Sequence, residues 1–394
     1  YMVSYCLIFV FFEESDPKWG WEEGMNWQTR YHCGILRGAD NGKMVELAGW
    51  VDARRDHGDI LFIHLRDWSG IAQVVFRRDE NPDVFEKAAL LREEYCISII
   101  GRVTEREPGT ENPSLETGSI EVVASLLEIL NPSRILPFPI SEKAMIAGAG
   151  MATPANVAED LRLQYRYLDL RRPSMQDNLI KRHKVCQAIH RYLSEKGFIE
   201  VETPDLTKST PEGARDYLVP SRVHPGCFYA LPQSPQLFKQ ILMVSGMERY
   251  YQIVKCFRDE DLRPNRQPEF TQMDLEAAFI DEEFIYELIE DLLVRMFAVG
   301  GITLPRPFPR MSYQEAMDTT GSDRPDLRFG LRFIEATDLF QNTRYSIFQQ
   351  ILKRGGKIKG INVKGQSEAL SKNVLQNEYA KQIVPGFGAK GMTW

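Results

Sequence analysis

The chain has 394 residues and a formal net charge of −7, and its residues are 43% hydrophobic and 26% charged. This length exceeds what one hydrophobic core usually organises, so we expect two or three domains in an ordinary soluble globular protein. The negative net charge excludes a global attraction to nucleic acid, so any RNA binding must depend on local basic patches.

The N-terminal run and the cysteines favour a cytoplasmic protein without a membrane anchor. Residues 1–12 are apolar but too short to span a bilayer, and no basic leader precedes them. The six cysteines are scattered, with no C-x-x-C pair and no histidine at ligand spacing. This pattern predicts reduced thiols and no zinc site.

Five strand patterns and one helical stretch lie between Met44 and Leu130. The strands are predicted over 44–53, 60–66, 71–77, 97–104 and 118–128, with the helix near 83–93. A helix between the third and fourth of five strands predicts an OB-fold barrel, which binds oligonucleotides across one sheet face.

Alternation along the second predicted strand gives each side chain a direction. It turns one set into the barrel and the other outward: Leu61, Ile63 and Leu65 inward, and Phe62, His64 and Arg66 outward. An exposed Phe62 near Arg55 and an outward-facing Gln73 is a candidate platform for stacking an unpaired base. A Phe covered by a neighbouring loop is an equally good explanation.

A linker and a basic segment follow the predicted barrel. Residues 131–160 contain Pro and Gly without periodicity and predict a linker. Residues 161–184 carry a net charge of +5, which suits contact with nucleic-acid phosphates, although such runs are more often simply solvated. A helix is predicted over 178–196, ending at Gly197.

A second helix start is predicted at Ser234 and Pro235, an N-cap followed by Pro at the first helical position. Gln236 and Lys239 then lie on one face of the first turn. Because a lysine there opposes the helix dipole, we expect an anionic partner for Lys239, with a solvent-facing lysine as the alternative. Upstream, Glu212 is by composition alone an ordinary surface acid.

Two strands joined by a charged loop are predicted over 250–258 and 269–279. The second strand has a polar face of Phe270, Gln272, Asp274 and Glu276 and an apolar face of Met273, Leu275 and Phe279. Carboxylates within a sheet need cations, a metal or a wet cleft. Acids beside arginines suit a polyphosphate with its metal ion, and a salt-bridged hairpin is the common alternative.

The string FRDEDLRPNRQPEFTQMDLE, residues 257–276, resembles motif 2 of the class II aminoacyl-tRNA synthetases, in the form found in bacterial-type aspartyl-tRNA synthetases. Three other segments carry the same resemblance. GWVDARRDHGDILFIHLRDWSGIAQVVF resembles the family's anticodon-binding domain, GFIEVETPDL resembles motif 1, and QSPQLFKQ resembles the aspartate-binding segment.

The resemblance implies an N-terminal OB-fold β-barrel and an α+β class II catalytic domain on an antiparallel sheet. Its predicted domains are an extension of doubtful origin at 1–24, an anticodon-binding domain at 25–130, a linker or hinge at 131–176, the first part of the catalytic domain with motifs 1 and 2 at 177–330, and part of an α+β insertion module at 331–394.

The implied reaction is ATP-dependent activation of L-aspartate to aspartyl-adenylate, followed by transfer of aspartate to tRNA(Asp). The resemblance also implies that Mg2+ accompanies ATP and that the protein is a homodimer. The residues carried over are Arg258 as catalytic residue; Arg258, Asp259, Glu260 and Gln267 for ATP; Glu212, Gln236, Lys239 and Arg258 for aspartate; Arg55, Phe62 and Gln73 for the anticodon; and Pro204 for the dimer interface. No metal ligand is assigned, and the roles of Asp274 and Glu276 stay open. In this family, a histidine at the position of His57 is associated with enzymes that also charge tRNA(Asn).

Motif 3, a G-x-G-x-G-x-[DE]-R run, does not occur in the sequence. The resemblance therefore predicts a chain truncated inside the insertion module, which binds tRNA but does not activate aspartate alone. One alternative is a non-catalytic tRNA-binding paralogue. Another is a class II ligase for asparagine or lysine, against which QSPQLFK and EGARDYLVPSR favour aspartate.

Overall fold

A computed structural model describes residues 30–141, 157–210, 212–261, 263–328, 330–388 and 392–394. The extension predicted at 1–24 and the Pro- and Gly-containing run AGAGMATP, residues 147–154, lie outside the described residues. The chain divides into two compact units, residues 1–190 and 191–394.

The first unit contains a closed barrel of five strands. These are β1 (Met44–Asp56), β2 (Ile60–Asp67), β3 (Gly70–Arg77), β4 (Cys96–Glu105) and β5 (Ile120–Asn131). Their order around the barrel is β1-β2-β3-β5-β4, with β4 pairing back onto β1. Only the β3–β5 pair is parallel. Helix α1 (Pro82–Ala89) lies between β3 and β4, so the predicted OB fold is confirmed.

The barrel closes because alternate apolar side chains point inward. Leu61, Ile63 and Leu65 are fully buried, as the alternation of β2 predicts. Burying such side chains stabilises by roughly 1.5–3 kcal/mol each, so a one-residue slip of register would be costly. Helix α1 starts where the Asn81 side chain accepts the Val84 N–H at 3.2 Å, directly before Pro82.

The segment between the barrel and residue 190 is more helical than predicted. It contains α2 (Glu159–Gln164), α3 (Arg166–Asp169) and the start of α4 (Pro173–Glu195). Helices of four and six residues are too short to show a 3.6-residue period, so the sequence pattern did not reveal α2 and α3. Helix α4 starts five residues before the predicted position, at Pro173, because proline fits the first helical turn.

The second unit contains a three-stranded sheet in the order β10-β9-β6. Strands β9 (Arg249–Phe257) and β10 (Glu269–Ala277) form the predicted antiparallel hairpin, and β6 (Ile199–Glu200) runs parallel to β9. The placement of Phe279 on the apolar face of β10 was wrong. The strand ends at Ala277, and Phe279 has a φ of 57° and is 94% exposed.

The other elements of this unit surround or follow the sheet. They are β7 (Leu218–Pro220) and β8 (Phe228–Ala230), which pair; α5 (Gln236–Val244); α6 (Glu282–Val299); α7 (Tyr313–Thr320); β11 (Phe333–Glu335) and β12 (Lys359–Ile361), which pair; α8 (Ser346–Lys353); a π-helix (Val374–Ile383); and α9 (Val384–Gly386). Helix α6 ends before Gly300. No helix within the described ranges is long and apolar enough to cross a membrane.

Candidate active site and nucleic-acid interface

Lys239 of α5 is the centre of a charged cluster on the polar face of β10. The side chain is buried, and its Nζ lies 3.0 Å from Asp274 Oδ1 and 3.3 Å from Glu276 Oε2. The expected anionic partners of this first-turn lysine are therefore confirmed. Asp274 and Glu276 lie two residues apart on one strand, so alternation brings both carboxylates to the same lysine.

The helix that carries Lys239 begins one residue later than predicted. Gln236 is the first residue of α5, and Pro235, predicted to be the first, precedes it with a φ of −79° and a ψ of 25°. Ser234 still helps to cap the helix, because its Oγ accepts the Gln236 N–H at 3.3 Å. Gln236 is half-buried one turn before Lys239.

Glu212 is not an isolated surface acid. Its Oε2 accepts a hydrogen bond from Ser234 Oγ at 2.7 Å, and its Oε1 accepts one from Thr210 Oγ1 at 3.2 Å. Ser234 thus ties Glu212 to the N-terminus of α5, the helix that carries Lys239. We refer to Lys239, Asp274, Glu276 and Glu212 as the Lys239 cluster.

Gln233 is a positioning residue that the sequence analysis missed. It is 1% exposed, accepts the Ala214 N–H at 3.0 Å, and donates to Ala214 O at 2.9 Å and Asp216 Oδ1 at 2.5 Å. These bonds hold the loop that follows Glu212. The available signal was its place as the first residue of QSPQLFKQ, the run that resembles the family's aspartate-binding segment.

The net formal charge of the Lys239 cluster is negative, because Lys239 pairs with Asp274 and Glu276 and the charge of Glu212 also acts on Asp274. Burial raises the pKa of Asp274, the hydrogen bond and charge of Lys239 oppose that rise, and the charges of Glu276 and Glu212 add to it. Such a site suits a ligand that brings both a cation and an anion, since an ammonium group is attracted by the surplus carboxylates and a carboxylate by Lys239.

A cavity lies at the loop end of the hairpin that β9 and β10 form. Its volume is about 310 Å³, and it is lined by Arg258, Glu260, Asp261, Asn265, Arg266, Gln267, Pro268 and Phe270. The guanidinium of Arg258 stacks over the Phe270 ring, with 5.2 Å from Cζ to the ring centroid, and the Arg258 N–H donates to Pro268 O at 2.9 Å. Two guanidinium groups in one cavity provide donors for phosphate oxygens.

The cavity contains three of the four residues predicted for ATP. Arg258, Glu260 and Gln267 line it, whereas Asp259 does not. Asp259 instead donates its backbone N–H to Arg215 O at 3.0 Å, in a short bridge between two loops. Within the described residues, no group of three or more His, Cys, Asp or Glu side chains is arranged to hold a metal ion by itself.

The outer face of the barrel is less exposed than its alternation suggested. Phe62 is only half-buried and packs edge-to-face on His57, with ring centroids 5.5 Å apart. His64 and Arg66, predicted to face outward, are nevertheless buried. The parity of a strand fixes the side to which a residue points but not what covers that side.

The three predicted anticodon residues lie on neighbouring strands of this face. Arg55 is exposed and stands opposite Phe62 in the β1–β2 register. Gln73, predicted to face outward, is 9% exposed and donates to Glu121 Oε2 at 2.9 Å. Pro204, the predicted interface residue, is exposed.

Much of the basic segment 161–184 is neutralised internally. Three arginines surround the buried carboxylate of Asp169: Arg162 at 3.9 Å, Arg166 at 2.6 Å and Arg172 at 2.9 Å. A fourth, Arg171, pairs with Glu94 at 2.7 Å. These four arginines are therefore paired with carboxylates, and contact of the segment with nucleic-acid phosphates stays a prediction.

Comparison with known proteins assigns the chain to a family. Residues 158–376 match the family model "tRNA synthetases class II (D, K and N)", and residues 45–130 match "OB-fold nucleic acid binding domain". The chain belongs to the class II tRNA synthetase family, and its first unit carries the family's OB-fold domain.

The chain is also similar to curated proteins over part of their length. The chain is 67% identical over 371 residues to Aspartate--tRNA(Asp/Asn) ligase 1 of Syntrophus aciditrophicus, a match that covers 94% of this chain and 51% of the relative. It is 52% identical over 368 residues to the Aspartate--tRNA(Asp/Asn) ligase of Aquifex aeolicus, covering 93% of this chain and 58% of the relative. The chain thus spans a little over half the length of these relatives.

Solved structures show the same fold. Asparaginyl-tRNA synthetase from Pyrococcus horikoshii, complexed with asparaginyl-adenylate, aligns with a TM-score of 0.62 and 26% identity, covering 73% of this chain and 66% of that one. A putative aspartyl-tRNA synthetase from Leishmania major aligns with a TM-score of 0.59 and 23% identity, covering 70% of this chain and 54% of that one. The predicted fold class is confirmed.

Proposed function

We propose that this chain is part of an aspartate–tRNA ligase that activates L-aspartate with ATP and transfers it to tRNA(Asp). The observation that carries the proposal is the placement of two complementary sites on one hairpin. The Lys239 cluster and the arginine-lined cavity are four residues apart along β10, from Asp274 to Phe270, which is about 13 Å at 3.3 Å per residue. That spacing suits an aminoacyl-adenylate.

The chemistry follows from the charges of the two sites. In the Lys239 cluster, Lys239 would hold the side-chain carboxylate of aspartate, and Glu212, with Gln236 nearby, its ammonium group. The α-carboxylate then attacks the α-phosphate of ATP, a carboxylate–phosphorus bond forms, and the bond to the β-phosphate oxygen breaks to release pyrophosphate. Arg258 would stabilise the charge that develops on the α-phosphate, so positioning and electrostatics replace a covalent nucleophile.

The nucleotide cavity also has groups that fit Mg2+. This ion is usually held by one or two carboxylates together with substrate phosphates, and Glu260 and Asp261 are exposed cavity-lining carboxylates. We propose that they accompany the ion, which would neutralise phosphate charge. Gln267 would contact the adenosine end, and Asp259 would support the loop rather than touch the nucleotide.

The barrel face would hold the anticodon through Arg55, Phe62 and Gln73. We extend the proposal to tRNA(Asn), supported by the packing of His57 on Phe62 and by relatives named as ligases for both tRNAs. The proposal includes a homodimer with Pro204 at its interface and a cytoplasmic location. It also keeps the domain bounds that the sequence predicts.

The test is calorimetric binding of a non-hydrolysable aspartyl-adenylate analogue to the chain. Arg258→Ala removes charge-assisted hydrogen bonds of about 1.5–3 kcal/mol each, so we expect affinity to fall at least tenfold. Arg263→Ala, a charge loss in the same loop but outside the cavity lining, should change affinity less than threefold. Preference for an asparaginyl or lysyl analogue would instead indicate a ligase for those amino acids, and an affinity that Arg258→Ala leaves unchanged would refute the assignment of this cavity to the nucleotide.

A further inference from the structure

A buried chain of charges connects the barrel to the segment that precedes α4. Arg66 of β2 donates through Nη1 to Asp52 of β1 and through Nη2 to Glu94 Oε1, the latter at 2.5 Å. The other oxygen of Glu94 accepts from Arg171 Nη1 at 2.7 Å. We refer to Asp52, Arg66, Glu94 and Arg171 as the bridge network.

The bridge network is balanced in charge and restricts where its residues can lie. Two carboxylates face two guanidinium groups, and Asp52 also accepts a hydrogen bond from Ser141 Oγ at 3.0 Å. Loss of Arg66 would leave the buried carboxylate of Asp52 without its cation, which is strongly unfavourable. The network therefore permits one placement of Ser141 and Arg171 against the barrel.

The backbone of Glu94 supports this role. Its φ of 63° lies in the left-handed region, which is unfavourable for a residue other than glycine. Two hydrogen bonds hold it there: Glu94 N–H to Val51 O at 2.7 Å and Val51 N–H to Tyr95 O at 3.0 Å. Gly or Asn would adopt this turn at lower cost, so the turn alone does not explain a glutamate that faces two arginines.

We propose that the bridge network positions residues 166–172 on the anticodon-binding barrel, so that a tRNA held by its anticodon meets further contacts on the chain at high effective concentration. This inference rests on the proposed function, because it takes the barrel as a tRNA-binding domain. Arg171 is the residue that joins the two parts, and its Cζ also lies 5.2 Å from the centre of the Trp50 ring. Its proposed role is that of a positioning residue, which acts through Glu94 and the Trp50 ring.

Arg171→Ala is the informative variant, because Arg171 is 33% exposed and Arg66 remains to neutralise Glu94. Fluorescence anisotropy at one salt concentration would compare two probes, an anticodon stem–loop RNA and a whole tRNA(Asp) transcript. We expect the stem–loop affinity to stay within twofold and the tRNA affinity to fall at least tenfold. Lys43→Ala removes an equal charge from an exposed pair on the barrel and should leave both affinities within twofold.

A second variant separates positioning from a general loss of charge. Glu94→Gln keeps the side-chain shape but removes the charge that both arginines share. It should therefore also lower the affinity for tRNA more than the affinity for the stem–loop. The double variant that combines Arg171→Ala and Glu94→Gln should bind tRNA no more weakly than the weaker-binding of the two single variants. Equal loss of affinity for both RNAs, or no loss of affinity for tRNA, would overturn this inference and leave the proposed function standing. Failure of the unaltered chain to bind either RNA would overturn the proposed function and this inference with it.

Discussion

Replacing Lys239 by Met tests the central cluster most directly. The substitution keeps an unbranched side chain of similar length but leaves Asp274 and Glu276 facing each other without their cation. Removing one partner of a buried ion pair typically costs 3–5 kcal/mol. Because Glu276 is 32% exposed, we take the lower end, about 3 kcal/mol, for the local free energy of unfolding. That corresponds to about a 100-fold loss of hydrogen-exchange protection in β10.

The effect should depend on pH in a definite direction. Burial already holds the pKa of Asp274 above its ordinary value, and Lys239 opposes that rise. A carboxyl whose folded pKa lies above its unfolded value stabilises the fold below the unfolded pKa, and this stabilisation is lost as pH rises through the folded pKa. Without Lys239 that folded pKa rises further. We therefore expect the variant to lose more protection at about pH 8 than at about pH 5.

The assay is native-state hydrogen exchange of the amides of residues 269–277 at both pH values. The matched control is Lys255→Met, because Lys255 pairs with Glu269 across the same hairpin but both side chains are 54% exposed. An exposed pair contributes about 0–1 kcal/mol, so this control should change protection less than tenfold. Equal losses in the two variants, or a Lys239→Met effect that does not vary with pH, would refute the argument from burial.

Two further predictions concern the barrel face and the loop after Glu212. Phe62→Ala should weaken tRNA binding by about ten- to a hundredfold in an anisotropy titration, because stacking a base on an aromatic ring contributes roughly 1–3 kcal/mol; unchanged affinity at fixed salt would contradict it. Gln233→Leu removes three hydrogen bonds of about 1 kcal/mol each and should weaken binding of the aspartyl-adenylate analogue at least tenfold in calorimetry; unaltered affinity would show that the loop is held by other contacts.

The features that the sequence predicted well are those set by neighbours along the chain. The alternation of β2 predicted the buried Leu61 and Ile63, and the first-turn position of Lys239 predicted its anionic partners. One missed pairing was also local. Arg166 and Arg172 lie three residues before and after Asp169, a helical spacing that predicts contact, but the segment was treated as a single net charge.

The features that the sequence could not predict depend on distant parts of the chain. Arg66 is buried because Glu94, 28 residues away, covers it, and Gln233 is fixed by a loop 19 residues before it. Neither contact follows from a local period or propensity. A buried polar side chain is satisfied by whichever partner the tertiary fold brings to it, so its burial and its partner become known together.

The balance of buried charge distinguishes the roles of the bridge network and the Lys239 cluster. In the bridge network, two carboxylates meet two guanidinium groups, so every buried charge is compensated within the fold and no ligand is needed. The Lys239 cluster has one cation for three carboxylates, and burial raises the pKa of one of them. An uncompensated, partly buried charge is unfavourable unless a ligand completes it. The first arrangement therefore suits fixed positioning, and the second suits a site that binds a zwitterionic substrate.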